Sequence, residues 1–275
     1  LPSQNAPRDW IGVVDLNNIT PLILTFNEAP NIQRTLERLT WAKTVLIVDS
    51  FSTDETLDIV SGFPNTKVIQ RAFDHFADQD NFGLQNVSTK WTLSLDADYV
   101  CPASLPDELR RIDESISGYA IAFRYCIYGK PLRGTLYPRR VVLYQTALAR
   151  YHRDGHAHRV SVTGEIGSLK SLIDHDDRKP LHRWLKSQTT YAALEADKLL
   201  RTRYAELGWK DRLRLRLFIA PVLTIFYCLL AKRLILDGWP GLYYSLQRVY
   251  AELLLSLDLL DRRLRPADDG SLVKR

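Results

Sequence analysis

The sequence predicts an α/β fold, a parallel sheet with helices on both faces, followed by a C-terminal helical region. Two observations carry the first part. Four short apolar, β-favouring runs alternate with segments of helical composition through the first hundred residues, and three of the runs close on acidic side chains. Strands separated by helices pair in parallel. A third observation carries the second part: beyond residue 180, apolar residues recur at helical spacing over two long stretches.

Taken in order, residues 1–18 are polar and proline-containing and read as a lead-in. Residues 19–26 form a first strand ending at Asn27 and Glu28, and Pro30 suits the first turn of a helix running to about residue 39. A second strand over 44–48 ends at Asp49, and Ser52-Thr53-Asp54-Glu55 has the composition of a helix start. A third strand covers 66–70, a helix 76–86, and a fourth strand 91–96. That last strand leaves the sheet through Asp96-Ala97-Asp98, and alternate residues of an extended chain share a face. Such a pair suits a hard divalent cation, which takes oxygen ligands and is often shared with phosphates. Ligand groups gather at the carboxyl ends of parallel strands, where Glu28, Asp49, Asp96 and Asp98 all stand. Taken singly, each acid also reads as a cap or turn residue.

Charge is unevenly spread. The first 100 residues carry 7 Lys and Arg against 13 Asp and Glu, net −6, and the rest carry 30 against 19, net +11. An acidic first part can host a metal; a basic second part can face phosphates or an anionic membrane. Three separated cysteines, with no C-x-x-C, favour a reducing cytosol over disulfides or structural zinc. No basic and apolar leader opens the sequence. Neither G-x-G-x-x-G nor G-x-x-x-x-G-K occurs, which disfavours dinucleotide dehydrogenases and P-loop enzymes.

Thr25-Phe26-Asn27-Glu28, Val48-Asp49-Ser50-Phe51-Ser52-Thr53-Asp54 and Leu93-Ser94-Leu95-Asp96-Ala97-Asp98 resemble the successive motifs of family 2 glycosyltransferases, closest to the branch with lipopolysaccharide-core glucosyltransferases. The resemblance covers roughly residues 19–175 and implies a GT-A fold, a Rossmann-like mixed sheet. It implies that Thr25, Asn27, Glu28, Asp49 and Asp54 frame the nucleoside of a sugar nucleotide. Asp96 would meet ribose or sugar, and Asp98, with Asp96, a magnesium or manganese ion. Asn81-Phe82-Gly83-Leu84 is similar to an N-x-G-L element that shapes the donor pocket. Two departures stand out: Phe51 where the family usually has glycine, so that either the turn differs or the ring packs near the nucleobase, and Asp80 where it often has Lys or Arg.

Further on, residues 104–116 read as a helix, and 119–128 and 140–145 as strands joined by a loop holding Lys130 and Arg133. Tyr151-His152-Arg153-Asp154-Gly155-His156-Ala157-His158-Arg159 is a second dense cluster. Family members invert the anomeric centre with a carboxylate taking the acceptor proton, and here the resemblance points to Asp154, with His156 as alternative base or orienting partner. His175 matches a further metal ligand by position.

An amphipathic helix is expected from 181 to about 207, and another over 242–264. Between them, residues 217–231 are uncharged and flanked by Arg212, Arg214, Arg216, Lys232 and Arg233. Fifteen residues and Pro221 are too little for a spanning helix, so interfacial insertion is expected, with a buried soluble or dimeric hairpin as alternative. Residues 266–275 read as a disordered tail. The organisation expected is a lead-in to residue 18, a GT-A domain over 19–180 divided near 100 into donor and acceptor halves, and helices over 181–265. The function expected is a metal-dependent inverting transfer of one sugar, a UDP-sugar being the first donor considered. The acceptor is a lipid-linked or envelope glycan at the cytoplasmic membrane face. No nucleic-acid partner is expected. The alternatives are a silent membrane-peripheral protein of the same fold and a sugar-nucleotide nucleotidyltransferase.

Overall fold

The structure, a computed structural model, describes residues 13–154 and 157–265. The expected tail over 266–275 and most of the lead-in lie outside the described residues. The chain divides into two compact units, the first built from residues up to Pro131, Tyr137–Arg153 and His158–Lys179, the second mainly from Leu132–Leu136 and the chain beyond Pro180.

In the first unit, β1 (Ile19–Thr25), α1 (Ile32–Leu36), β2 (Val45–Asp49), α2 (Thr56–Ser61), β3 (Thr66–Gln70), α3 (Phe76–Gln85) and β4 (Trp91–Asp96) alternate as expected. Then come β5 (Tyr99–Val100), α4 (Leu105–Leu109), β6 (Gly118–Ile127), β7 (Lys130–Pro131) and β8 (Arg140–Gln145). The last strands are β9 (Ala149–Asp154), β10 (Ala157–Val162) and β11 (Ile166–His175). The main sheet runs β3-β2-β1-β4-β8-β6-β11-β5. Its β3-β2-β1-β4 half is parallel, as the β-α alternation requires, while β8 joins β4 and β6 antiparallel.

Side-chain alternation along β1 and β2 sorts the core into two layers. Ile19, Ile23, Val45 and Ile47 pack with Ile32 and Leu36 of α1, Val60 of α2 and Leu105 and Leu109 of α4. Leu22, Leu46 and Val48 pack instead with Ala77 and Leu84 of α3 and with Tyr151 of β9. Gly83 lets α3 lie close to β1, since a Cβ there would stand 2.7 Å from Leu22 Cδ1. The buried thiols of Cys101 and Cys126, pushed up by burial to about 12, form no disulfide.

Some elements differ from expectation. The first helix is regular only over α1; Arg38 and Leu39 N–H then donate three residues back, to Thr35 and Leu36 carbonyls, in tighter turns. The helix expected over 104–116 shortens to α4 for the same reason, Arg111 N–H donating to the Glu108 carbonyl. Three strands, β9, β10 and β11, fill a region read as polar clusters and turns. In β11 only Leu169 and Ile173 are buried, which leaves its alternation too weak to show in sequence.

The second unit holds α5 (Leu181–Arg201), α6 (Trp209–Arg214), α7 (Ile219–Phe226) and α8 (Trp239–Leu264), with a π-helical segment Tyr227–Ala231 after α7. α5 stops before residue 207 because Thr202 turns to extended backbone, with ψ 134°. Ala192, Ala196 and Leu199 of α5 pack with Leu255 and Leu259 of α8. Arg214 joins Glu252 at 2.6 Å and Glu195 at 3.4 Å. Around α7 the pattern inverts: Phe218, Val222, Leu223 and Phe226 are exposed, as is Trp239 at the start of α8. An apolar groove of about 390 Å³ lies among Arg216, Leu217, Phe218, Ile219, Val222 and Leu223. Among the described residues, no helix is long and apolar enough to cross a membrane.

Candidate active site

The carboxyl ends of β1, β2 and β3 are joined through one carboxylate. Asp49, fully buried, accepts from Thr25 Oγ1 at 2.9 Å, from Ser52 N–H at 2.9 Å and Ser52 Oγ at 2.5 Å, and from Gln70 Nε2 at 3.2 Å. Burial alone would lift its pKa; the hydrogen bonds from Ser52, Gln70 and Thr25 outweigh burial and hold it below the ordinary range. Asn27 Oδ1 accepts from Thr53 N–H at 2.7 Å and Asp54 N–H at 3.3 Å. Asp54 in turn accepts from Thr56 N–H at 3.0 Å and Ala29 N–H at 3.3 Å. Thr25, Asn27, Asp49 and Asp54 are therefore a hydrogen-bonded frame that fixes the loops following β1 and β2.

Asp96 and Asp98 close the neighbouring strand β4, and their surroundings differ. The pairing of β5 with β11 sets Tyr99 opposite His175 and so carries Asp98 to the histidine. His175 Nε2 stands 3.3 Å from Asp98 Oδ2. The rings of Tyr99, Tyr125 and Tyr137 hold His175 with centroids at 5.3, 4.7 and 4.8 Å. Burial opposes both charges. Even so, His175 and Lys179 keep the Asp98 carboxyl down at about 2, and Asp98, with Asp96 and Asp177, shifts His175 upward. Asp96 is half exposed and faces Arg140, with Nη1 at 3.8 Å. Arg140 also donates to Tyr137 Oη at 2.7 Å and Tyr99 Oη at 3.3 Å.

Whether these residues suit a divalent cation can be judged from their unused atoms. Asp98 Oδ1 and His175 Nδ1 are buried without a hydrogen-bond partner, and a buried carboxylate oxygen without a donor is suited to a cation. Asp98 and His175 thus fit a metal. The expected third member, Asp96, faces Arg140 instead, and among the described residues no cluster of three or more His, Cys, Asp or Glu side chains is gathered for a metal.

Glu28 is taken up by a partner that sequence reasoning missed. Lys179 Nζ stands 2.7 Å from Glu28 Oε1 and 3.4 Å from Asp177 Oδ1, and Asn31 Nδ2 donates to Glu28 Oε2 at 2.9 Å. Burial raises the Glu28 carboxyl to about 7 against the pull of Lys179. Burial also works against the Lys179 ammonium, but Glu28, Asp98 and Asp177 outweigh it and raise its pKa. Its signal in the sequence is a lysine two residues after the Asp174-His175-Asp176-Asp177 run. Asn81 shapes the site through β9, its side chain donating to the Tyr151 carbonyl at 3.0 Å and accepting from Tyr151 N–H at 2.9 Å. Asp80 is buried, and burial together with Asp96 lifts its carboxyl well above the ordinary range. The Asp154 side chain and His156 lie outside the described residues.

Comparison with known proteins gives the family. The chain is 25% identical over 216 residues to the lipopolysaccharide core biosynthesis glycosyltransferase LpsC of Rhizobium meliloti (strain 1021), covering 74% of this chain and 78% of that protein. Among solved structures it is similar to S. aureus TarS 1–349 in complex with UDP-GlcNAc, at 13% identity and a TM-score of 0.45 over 89% of this chain and 91% of that one. The same protein in complex with UDP gives 15% and 0.46 over 93% and 94%. Both structural likenesses are loose. The model of glycosyl transferase family 2 matches residues 22–174, more than half of the 275, and spans the frame around Asp49, the Asp96 and Asp98 pair and most of β11. The chain belongs to glycosyl transferase family 2, and is a glycosyltransferase of GT-A fold.

Proposed function

We propose that this glycosyltransferase moves a single sugar from a nucleotide-diphosphate donor, with UDP-sugars the first to test, to a hydroxyl of a lipid-linked or cell-envelope glycan. The observation that carries the reading is the gathering of Asp49, Asp96 and Asp98 at the carboxyl ends of β2 and β4, strands that flank β1 in the parallel half of the main sheet. Open α/β sheets bind ligands at that edge.

Asp98 and His175 would hold Mg²⁺ or Mn²⁺, whose charge would offset that developing on the departing diphosphate. Glu28 and the frame around Asp49 position the nucleoside end, and Asp96 the ribose or sugar. In the transfer, the acceptor oxygen bonds to the anomeric carbon from the face opposite the diphosphate. The bond from that carbon to the diphosphate oxygen breaks, and the nucleoside diphosphate leaves with the electron pair. The acceptor proton passes to Asp154, with His156 as the alternative base.

The acceptor class draws support from the LpsC relative, whose name places it in lipopolysaccharide core biosynthesis. Membrane contact draws support from the second unit, where exposed Phe218, Leu223 and Phe226 lie on a segment flanked by Arg212, Arg216, Lys232 and Arg233. The catalytic domain would then comprise residues 19–180, and 181–265 would dock on the cytoplasmic leaflet.

Calorimetric titration of UDP, GDP and dTDP, each with manganese and with chelator, tests the donor half. One nucleotide should bind with manganese and lose affinity with chelator, and Asp98→Asn should lose the manganese-dependent gain. Equal affinity in manganese and chelator would refute the metal assignment.

A further inference from the structure

Five residues other than glycine adopt left-handed backbone: Asn27, Phe51, Tyr128, Leu217 and Arg233, among the described residues. That conformation crowds a Cβ, so each calls for a local reason. Asn27 has its side-chain hydrogen bonds to the loop after β2. Tyr128, with Gly129 also at positive φ, forms the two-residue turn between β6 and β7, a connection that favours positive φ at both positions. Leu217 packs against the α5 and α8 core. Arg233 lies just past the π-helical segment, where helices commonly end left-handed.

Phe51 has none of these reasons. Its φ is 60°, its ring makes no hydrogen bond, and the residue is 53% exposed. The loop around it is rigid: Ser50 N–H donates to the Thr25 carbonyl at 2.8 Å, Gln79 Nε2 to Ser50 Oγ at 2.8 Å, and Asn27 N–H to Ser52 Oγ at 2.8 Å. The turn demands positive φ, glycine would meet that demand without strain, and the sequence instead places a large apolar ring there, open to solvent. Its location is not isolated. Phe26, Phe51 and Phe73, the three half-exposed phenylalanines among the described residues of the first unit, follow β1, β2 and β3 at the carboxyl edge of the parallel sheet.

We propose that Phe51 is a donor-binding residue whose ring stacks on the nucleobase of the nucleotide. The inference rests on the donor-site reading above and adds a contact made to the base and not to the diphosphate. A ring fixed in advance by a rigid loop loses little freedom on stacking, and such stacking tolerates any base with a π-face.

The test compares Phe51→Ala, Phe51→Gly and Phe51→Tyr with the unaltered chain, using whichever of UDP, GDP and dTDP the unaltered chain binds and inorganic diphosphate as a probe without a base, all with manganese. Phe51→Ala and Phe51→Gly should weaken nucleotide binding about tenfold or more and leave diphosphate binding unchanged, while Phe51→Tyr keeps nucleotide affinity. Phe51→Gly should also melt no lower than the unaltered chain, because it relieves the left-handed strain. Nucleotide affinity unchanged in Phe51→Ala overturns the stacking inference and leaves the donor site standing. Equal losses for nucleotide and diphosphate, or a fall of several degrees in Tm for Phe51→Gly, assign the ring to loop packing and overturn it too. If the folded, unaltered chain binds no nucleotide, the donor-site reading fails and this inference with it.

Discussion

The carboxyl edge of the sheet in the first unit and the α7 surface of the second unit invert each other's chemistry. At the first, charged groups are withdrawn from water and each is met by designated partners: Asp49 by four donors, Glu28 by Lys179 and Asn31, Asp98 by His175. At the second, Phe218, Val222, Leu223 and Phe226 stand in solvent. Desolvated charge is tolerated only when paired, and pairing in advance removes the reorganisation that a charged ligand would otherwise impose. Exposed apolar surface gains free energy only when something covers it. The first region thus meets its charges from within the chain, whereas the apolar side chains of the second are left to solvent.

The sharpest way to break this contrast is at the position assigned to proton transfer. Asp154→Asn should lower the transfer rate by about 10²- to 10⁴-fold and leave donor affinity in place. Rapid-quench measurement of sugar transfer beside calorimetry would separate the two, and an undiminished rate would move the base elsewhere. Next in size, Phe218→Asp combined with Leu223→Asp should weaken sedimentation with anionic vesicles by about 100-fold, from the burial lost at two side chains. Binding of that variant unchanged from the parent would mean that the α7 surface meets something other than lipid.

A smaller effect sharpens the polar side of the comparison. Lys179→Met leaves the buried Glu28 carboxyl without its cation, and should lower stability by about 2 kcal/mol in denaturant unfolding. Adding Glu28→Gln to the same chain should recover most of that loss, and no recovery would show that the pair does not act as a unit. The smallest effect is on pH. Hydrogen bonds lower the Asp49 pKa in the folded chain, so its stabilisation is complete above the unfolded aspartate value of about 3.9 and is lost as pH falls through the folded value. Tm measured down the acid limb should therefore fall less steeply in Asp49→Asn, and parallel limbs would remove Asp49 from the acid response.

The same inversion explains what the sequence made legible. The β1 to β4 half was readable because β1, β2 and β4 are short apolar runs and the loops that follow them carry acids, signals local to a few residues. The strands β9 to β11 were not: β9 is mostly polar, β10 and β11 mix polar and apolar side chains with only Leu169 and Ile173 of β11 buried, and β11 pairs with the distant β6. Asp98 and His175 could be named singly, but what each meets depends on β5 reaching β11 across more than seventy residues. Lys179 escaped for a related reason: a lysine after an acidic run reads as surface charge until Glu28 is found beside it. The amphipathic pattern of α5 and α8 was visible, while the π-helical segment after α7 has no periodic signature.

The antiparallel pairing of Tyr99 with His175 also sets an order of events in synthesis. The frame of Thr25, Asn27, Asp49 and Asp54 draws only on residues that leave the ribosome early, so it can close while the remainder is still being made. Asp98 meets its histidine only after β11 has been made and inserted beside β6, a late and topologically distant step. A nascent chain arrested before residue 166 would carry the β1 and β2 loops but lack the histidine, so the Asp98 and His175 pair forms only after the frame has had its residues in hand.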